Sequence, residues 1–203
     1  MTTTELDGTG FLGTPQTSAD VQRLYDDNVA QNGFLMNLAG LWAHQPALYD
    51  GLFDLIGQAV RAGGLTFRQR GILVVASASA FGDAYCSLAW GNKLAGVAGA
   101  EVAAGVLRCE DDRLDPAERA LAAWARKVAR DPNATAARDL QPLRDTGYDD
   151  AQIVAITVFV ALRLAFAIVN DALGARPDRE LLASAPASVR DAVAFGRPAA
   201  GHA

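Results

Sequence analysis

Apolar positions along this chain recur at three- and four-residue steps, in blocks separated by short polar or glycine-containing breaks, and nowhere alternate singly over the length of a strand. The pattern predicts helices throughout. Thr17 or Ser18 can cap a first helix that runs to about Ala30. After Asn32-Gly33 comes a short apolar segment, 34–42, and then a helix led by Pro46 that reaches about Arg61 before Gly63-Gly64 ends it. Thr66 and Gln69 have capping-box spacing, so the next helix starts at Phe67, passes through Ile72-Leu73-Val74-Val75 and the small residues 77–80, and breaks at Gly82. Two more follow, from Asp83 to about Leu94 and from Gly99 to Leu107.

A polar connection, 109–113, precedes Leu114-Asp115-Pro116-Ala117-Glu118-Arg119, which repeats the layout of Leu65-Thr66-Phe67-Arg68-Gln69-Arg70. Each has a leucine, a cap and a capping-box partner, and each leads into a long apolar helix. The echo suggests two related helical halves, although any two well-capped helices share these features. A short helix over 136–145 comes next, and Asp149 with Gln152 then caps a long apolar helix ending near Gly174. Residues 177–186 read as a loop and 188–195 as one more amphipathic turn or two. The divisions are a flexible tail over 1–16, a single all-helical domain over 17–196 and a frayed tail over 197–203.

With 203 residues, 51% of them hydrophobic, the chain can build one well-packed domain or two small halves sharing a core. A net charge of −5 offers no basic face for a phosphate backbone, which argues against nucleic acid. The stretch 153–169 is apolar enough to suggest a membrane span, but Arg163 near its middle would be costly in hydrocarbon. A buried core helix, with no membrane partner, is the expectation. Arg163 then needs a counter-charge, for which Asp171 or a neighbouring subunit is the candidate. Cys86 and Cys109 are the only cysteines, and no His and Cys cluster has metal-ligand spacing, so neither a disulfide framework nor a metal site is expected. The N-terminus lacks the pattern of a secretory signal, which points to the cytoplasm and to reduced thiols.

Phe81-Gly82 joins two predicted helices, and Asp83, Tyr85, Cys86 and Trp90 gather on the first turns of the second. This arrangement resembles the active-site segment of the alkylhydroperoxidase D and carboxymuconolactone decarboxylase family, in which a Cys-x-x-Cys-x-x-x-His sits at a helix start. The run NLAGLWAHQPAL over 37–48 looks like that family's approach segment with its His-x-Pro. Residues 65–75 and 169–174 match its other helix motifs, and the likeness covers roughly 20–180. The resemblance implies an all-α, alkylhydroperoxidase D-like helical bundle assembling as a homo-oligomer, a trimer or a multiple of it. No cofactor is implied.

In that family the cysteine nearer the C-terminus attacks a hydroperoxide, the other resolves the sulfenic acid, and a histidine and a glutamate relay protons. Laid on this sequence, the attacking position is Cys86, the resolving position Asp83, the histidine position Trp90 and the glutamate position Gly71. The site is degenerate. Its candidates are Cys86, Asp83 and His44 for catalysis and Tyr85 and Trp90 for holding a small-molecule substrate. A helix start lowers a thiol pKa while Asp83 nearby raises it. Three functions follow: a peroxidase-type oxidoreductase using Cys86 alone, a cofactor-free lyase or isomerase in which Asp83 or His44 moves protons on an unsaturated or aromatic molecule, and a catalytically silent binding or assembly protein.

Overall fold

The computed structural model describes residues 10–201, and every regular element within them is helical, with no strand. In chain order the helices are α1 (Ala19–Asn32), α2 (Asn37–Trp42), α3 (Pro46–Gly63), α4 (Phe67–Phe81), α5 (Ala84–Ala98), α6 (Ala100–Arg108), α7 (Pro116–Arg130), α8 (Gln141–Asp145), α9 (Asp150–Ala172), α10 (Arg179–Ser184) and α11 (Ala187–Ala192). Two 3-10 turns, Pro132–Ala134 and Ala137–Leu140, separate α7 from α8.

The local signals set most of these boundaries. Ser18 accepts from the Val21 N–H at 3.2 Å. Thr66 with Gln69, Asp115 with Glu118 and Asp149 with Gln152 each form a complete capping box, satisfying backbone donors that a helix start leaves free. Beyond its polar first turn, α4 is enclosed on all sides from Gly71 to Ala78, as a central helix must be, and buries Ile72, Leu73, Val74, Val75 and Ala76. It packs against α5, α6, α7 and α9, while α3 lies along α9. A continuous cluster of buried side chains runs from Leu24 in α1 to Val189 in α11.

The two capped starts that echo each other in sequence meet in space. Helices α4 and α7 form the most extensive helix pair. Arg68 of the first start holds Glu118 of the second, Nε to Oε1 at 2.5 Å and Nη2 to Oε2 at 2.9 Å. Leu65 and Leu114, the leading leucines, are both buried.

Three segments depart from expectation. The loop expected over 177–186 contains α10. The described part of the N-terminal segment returns to the end of α9, where Phe11 N–H donates to Leu173 O at 2.9 Å; residues 1–9 of the expected tail lie outside the described residues. Residues 197–201, expected to fray, are docked instead: Ala199 and Ala200 are buried, and Ala200 N–H donates to Pro177 O at 2.9 Å. Helix α9 is long and apolar enough to cross a membrane by length and composition, with less than half of its apolar window buried. Its outward face carries Val154, Val158, Ala161, Ala165 and Ile168, all exposed.

Candidate active site

The turn from α4 into α5 is built by two residues. Gly82, at φ 88°, takes the left-handed conformation that ends α4, a position where a Cβ would be strained. Asp83 then turns the chain inward as N-cap of α5, its carboxylate accepting the Cys86 N–H at 3.0 Å. The first turn of α5 is thereby driven into the core, leaving Tyr85 and Cys86 at 1% and 3% exposure. Cys86, Ala89, Trp90 and Lys93 share one face at helical spacing, and that face lines a cavity of about 90 Å³. The opposite walls are Asn28, Gln31 and Asn32 of α1, Met36, Leu38, Tyr49 and Phe53, and Arg163 and Phe166 of α9.

Arg163 dominates the electrostatics. It is buried, at 6% exposure, yet no carboxylate among the described residues lies within ion-pair distance of it. Its Nη2 donates to the Cys86 sulfur at 3.7 Å, and its guanidinium sits 5.4 Å from the Trp90 ring centre and 5.1 Å from that of Phe166. Its Nε is buried without a hydrogen-bond partner. Asp171 is not its counter-ion, as the sequence had suggested: this arginine is met by a thiol and aromatic faces. Burial, and then the charge of Asp83, raise the Asp171 pKa to about 6.

The thiol is held protonated. Burial pushes the Cys86 pKa well above the ordinary cysteine value, the Asp83 charge pushes it further, and Arg163 opposes both. Asp83 has its own pKa raised by burial against hydrogen bonds from α5 and the charge of Arg163. It is 0% exposed and does not line the cavity, and its Oδ2 has no partner. Tyr85 presents its ring to the wall, but its hydroxyl is committed, donating to Asp178 Oδ2 at 2.5 Å and accepting from Leu38 N–H at 3.3 Å. Burial and Asp178 together hold the Tyr85 pKa well above normal, and burial raises that of Asp178 to about 6.

Trp90 forms a wall of the cavity and touches both of its cations, since Lys93 Nζ also lies 5.4 Å from its ring centre. His44, expected at the cavity edge, lies at the surface outside the lining, with Nε2 3.0 Å from Gly13 O. At Gly71, where the resemblance implies a glutamate, a Cβ would come 3.1 Å from Leu94 Cδ1. Core packing fills the place an acid would need.

The cavity therefore unites Cys86, Tyr85 and Trp90 of the expected set and excludes Asp83 and His44. Sequence reasoning missed Tyr49, Lys93 and the amides of α1. Lys93 was within reach, since it follows Cys86 and Trp90 at helical spacing. Tyr49 and Asn28 lie on separate helices, and no local pattern ties them to the thiol. The Tyr49 phenol keeps its proton, because burial raises its pKa against the opposing charge of Arg163.

No protein-family model matches the sequence, and no curated protein is similar to it. Solved structures do share the fold. An uncharacterized peroxidase-related protein of Ralstonia eutropha JMP134, described as an alkylhydroperoxidase AhpD core, superposes with a TM-score of 0.73 at 24% identity over 85% of this chain and 94% of that one. A peroxidase-related protein of Silicibacter sp. TM1040 gives 0.72 at 17% identity, over 89% and 97%. The debrominase Bmp8, as a cysteine-to-alanine variant in complex with 2,3,4-tribromopyrrole, gives 0.71 at 18%, over 88% and 97%. The fold is AhpD-like, all-helical and common to peroxidase-related proteins and a debrominase.

Proposed function

We propose that this chain is a single-cysteine, thiol-dependent oxidoreductase of the peroxidase type, using Cys86 on a small organic hydroperoxide. The observation that carries the reading is the buried thiol 3.7 Å from a guanidinium that has no carboxylate partner. A thiolate formed there acquires a counter-ion already in position. The Cys86 sulfur attacks the outer peroxide oxygen, forming an S–O bond as the O–O bond breaks. The departing alkoxide takes up the proton that the thiol released, with the Tyr49 hydroxyl in the wall to hand it over and Arg163 to hold the developing charge. Cys86 is left as sulfenic acid. Asp83 occupies the resolving position, so an external thiol, plentiful in the cytoplasm, condenses with the sulfenic acid to release water and form a mixed disulfide. A second thiol frees Cys86 and departs as the disulfide.

The lyase or isomerase reading relied on Asp83 or His44 to move protons, and neither lines the cavity. A test separates the readings. With tert-butyl hydroperoxide and dithiothreitol, Cys86→Ser should fall to the uncatalysed rate, and unchanged turnover would overturn the proposal. Asp83→Asn keeps a helix cap but removes a charge that raises the thiol pKa, so the rate at pH 7 should increase. Loss of activity in that variant would instead favour Asp83 as a base. Release of bromide from a bromopyrrole, dependent on Cys86, would move the substrate class towards that of the debrominase.

A homo-oligomer is part of the same proposal. The exposed residues Val154, Val158, Ala161, Ala165 and Ile168 of α9 follow one another at alternating four- and three-residue steps, the spacing of a helix-pairing seam with small residues at its middle. Light scattering should give a multiple of the 21.3 kDa chain that Val158→Glu reduces.

A further inference from the structure

We infer that the cavity takes an anionic ligand, a monocarboxylate with a small, flat, apolar body, held by Arg163 and Lys93. The inference shares the cavity with the proposed function but does not depend on the thiol chemistry. Two charged side chains line this cavity and both are cationic, while no Asp or Glu does. That is the reverse of the chain as a whole, in which 23 acidic residues outnumber 18 basic ones. The remaining polar lining consists of the neutral amides Asn28, Gln31 and Asn32 and the tyrosines.

Arg163 is the decisive group. A guanidinium buried to 6% exposure needs an anion, and what it has is a sulfur at 3.7 Å and two ring faces. The planar guanidinium fork has donors beyond the one aimed at the sulfur, and it matches a carboxylate in both shape and charge. Lys93, on the same face of α5 as Cys86, supplies a second charge over Trp90. Lys93 is exposed although it lines the cavity, so solvent screens part of its charge; its amine pKa is lowered by desolvation and by Arg163, and an anion near both cations would relieve their repulsion.

Shape limits the rest of the ligand. A closed apolar cavity of about 150 Å³ holds a benzene ring, so one of about 90 Å³ takes the charged head and part of the body, with the remainder in the mouth. The flanking rings of Trp90, Tyr49 and Phe166 favour a flat body.

The experiment uses the full chain carrying Cys86→Ser, so that binding is read without turnover. Calorimetric titration at pH 7 and low salt compares benzoate with its neutral isostere benzamide. Benzoate should bind at least about tenfold more tightly. Arg163→Met should abolish the preference and Lys93→Gln reduce it about threefold, with thermal unfolding confirming that each variant is folded. Equal affinities, no binding of either compound, or a preference that survives Arg163→Met would each overturn the inference. Hydroperoxide turnover in the wild type is read separately. Benzoate preference without turnover sinks only the peroxidase reading, and turnover without benzoate preference sinks only this one.

Discussion

Arg126 and Arg163 are buried to the same degree, 6% exposed, in opposite circumstances. Arg126, on α7, has acceptors at both terminal nitrogens: Nη1 meets Asp111 Oδ2 at 2.5 Å, and Nη2 meets Asp111 Oδ1 and Val106 O, both at 2.8 Å, while its Nε, like that of Arg163, is buried without a hydrogen-bond partner. That bidentate pair fastens the end of α6 and the polar connection after it to α7. Arg163, on α9, has no such acceptor among the described residues and lines a cavity. One arginine is fastened to a carboxylate and a carbonyl, and the other meets a thiol and two aromatic faces. Burial alone does not distinguish the two charges, whereas their partners do.

The comparison can be broken by substitution. The largest effect should come from Arg126→Met, which strands Asp111 and the Val106 carbonyl. A loss of about 3 kcal/mol is expected, at the lower end of the range for a broken buried pair because Asp111 keeps some contact with water. Urea unfolding measures it, and a negligible loss would remove the structural half of the contrast.

The Tyr85–Asp178 pair lies between the extremes, since it is structural but borders the cavity. Tyr85→Phe should cost about 1–3 kcal/mol, because it leaves a buried carboxylate short of a donor. The pair also sets a pH dependence. The folded Asp178 pKa is raised from 3.8 to about 6, so its contribution to stability is greatest below about pH 4 and is lost as pH rises through 6. Unfolding measured over that range should show the wild type losing stability relative to Asp178→Asn. In Tyr85→Phe the fall should begin at the same pH and extend to higher pH, because the lost hydrogen bond is one that lowers the folded Asp178 pKa.

The smallest effect is the one that sharpens the comparison most. Arg163→Met removes an uncompensated buried charge and substitutes an apolar chain of similar length, so unfolding free energy should stay within about 1 kcal/mol of wild type or increase. A loss as large as that of Arg126→Met would make Arg163 a structural residue.

Much of the fold was legible because its signals are local. The capping boxes at Thr66, Asp115 and Asp149 and the break at Gly82 depend on residues within one turn, and the structure realises each of them. Helix α10 escaped because a six-residue helix beside Pro177 has no periodicity to read. Its neighbour Asp178 matters through contacts with Asn37 N–H and the Tyr85 hydroxyl, 141 and 93 residues away in sequence. The candidate site was half legible. Cys86 and Trp90 stood out from their placement on α5, while Asp83 and His44 looked equally chemical and lie outside the cavity.

The sequence by itself determined that the chain is helical, where its main helices begin, and that the thiol opens one of them, since each of these follows from free energies settled within a few neighbouring residues. Only the tertiary structure decided which polar side chains share the cavity. It brought Arg163 to the thiol, enclosed Asp83 and let Leu94 fill the space beside Gly71. Those outcomes depend on how helices distant in sequence pack, and one sequence carries no local signal of that packing.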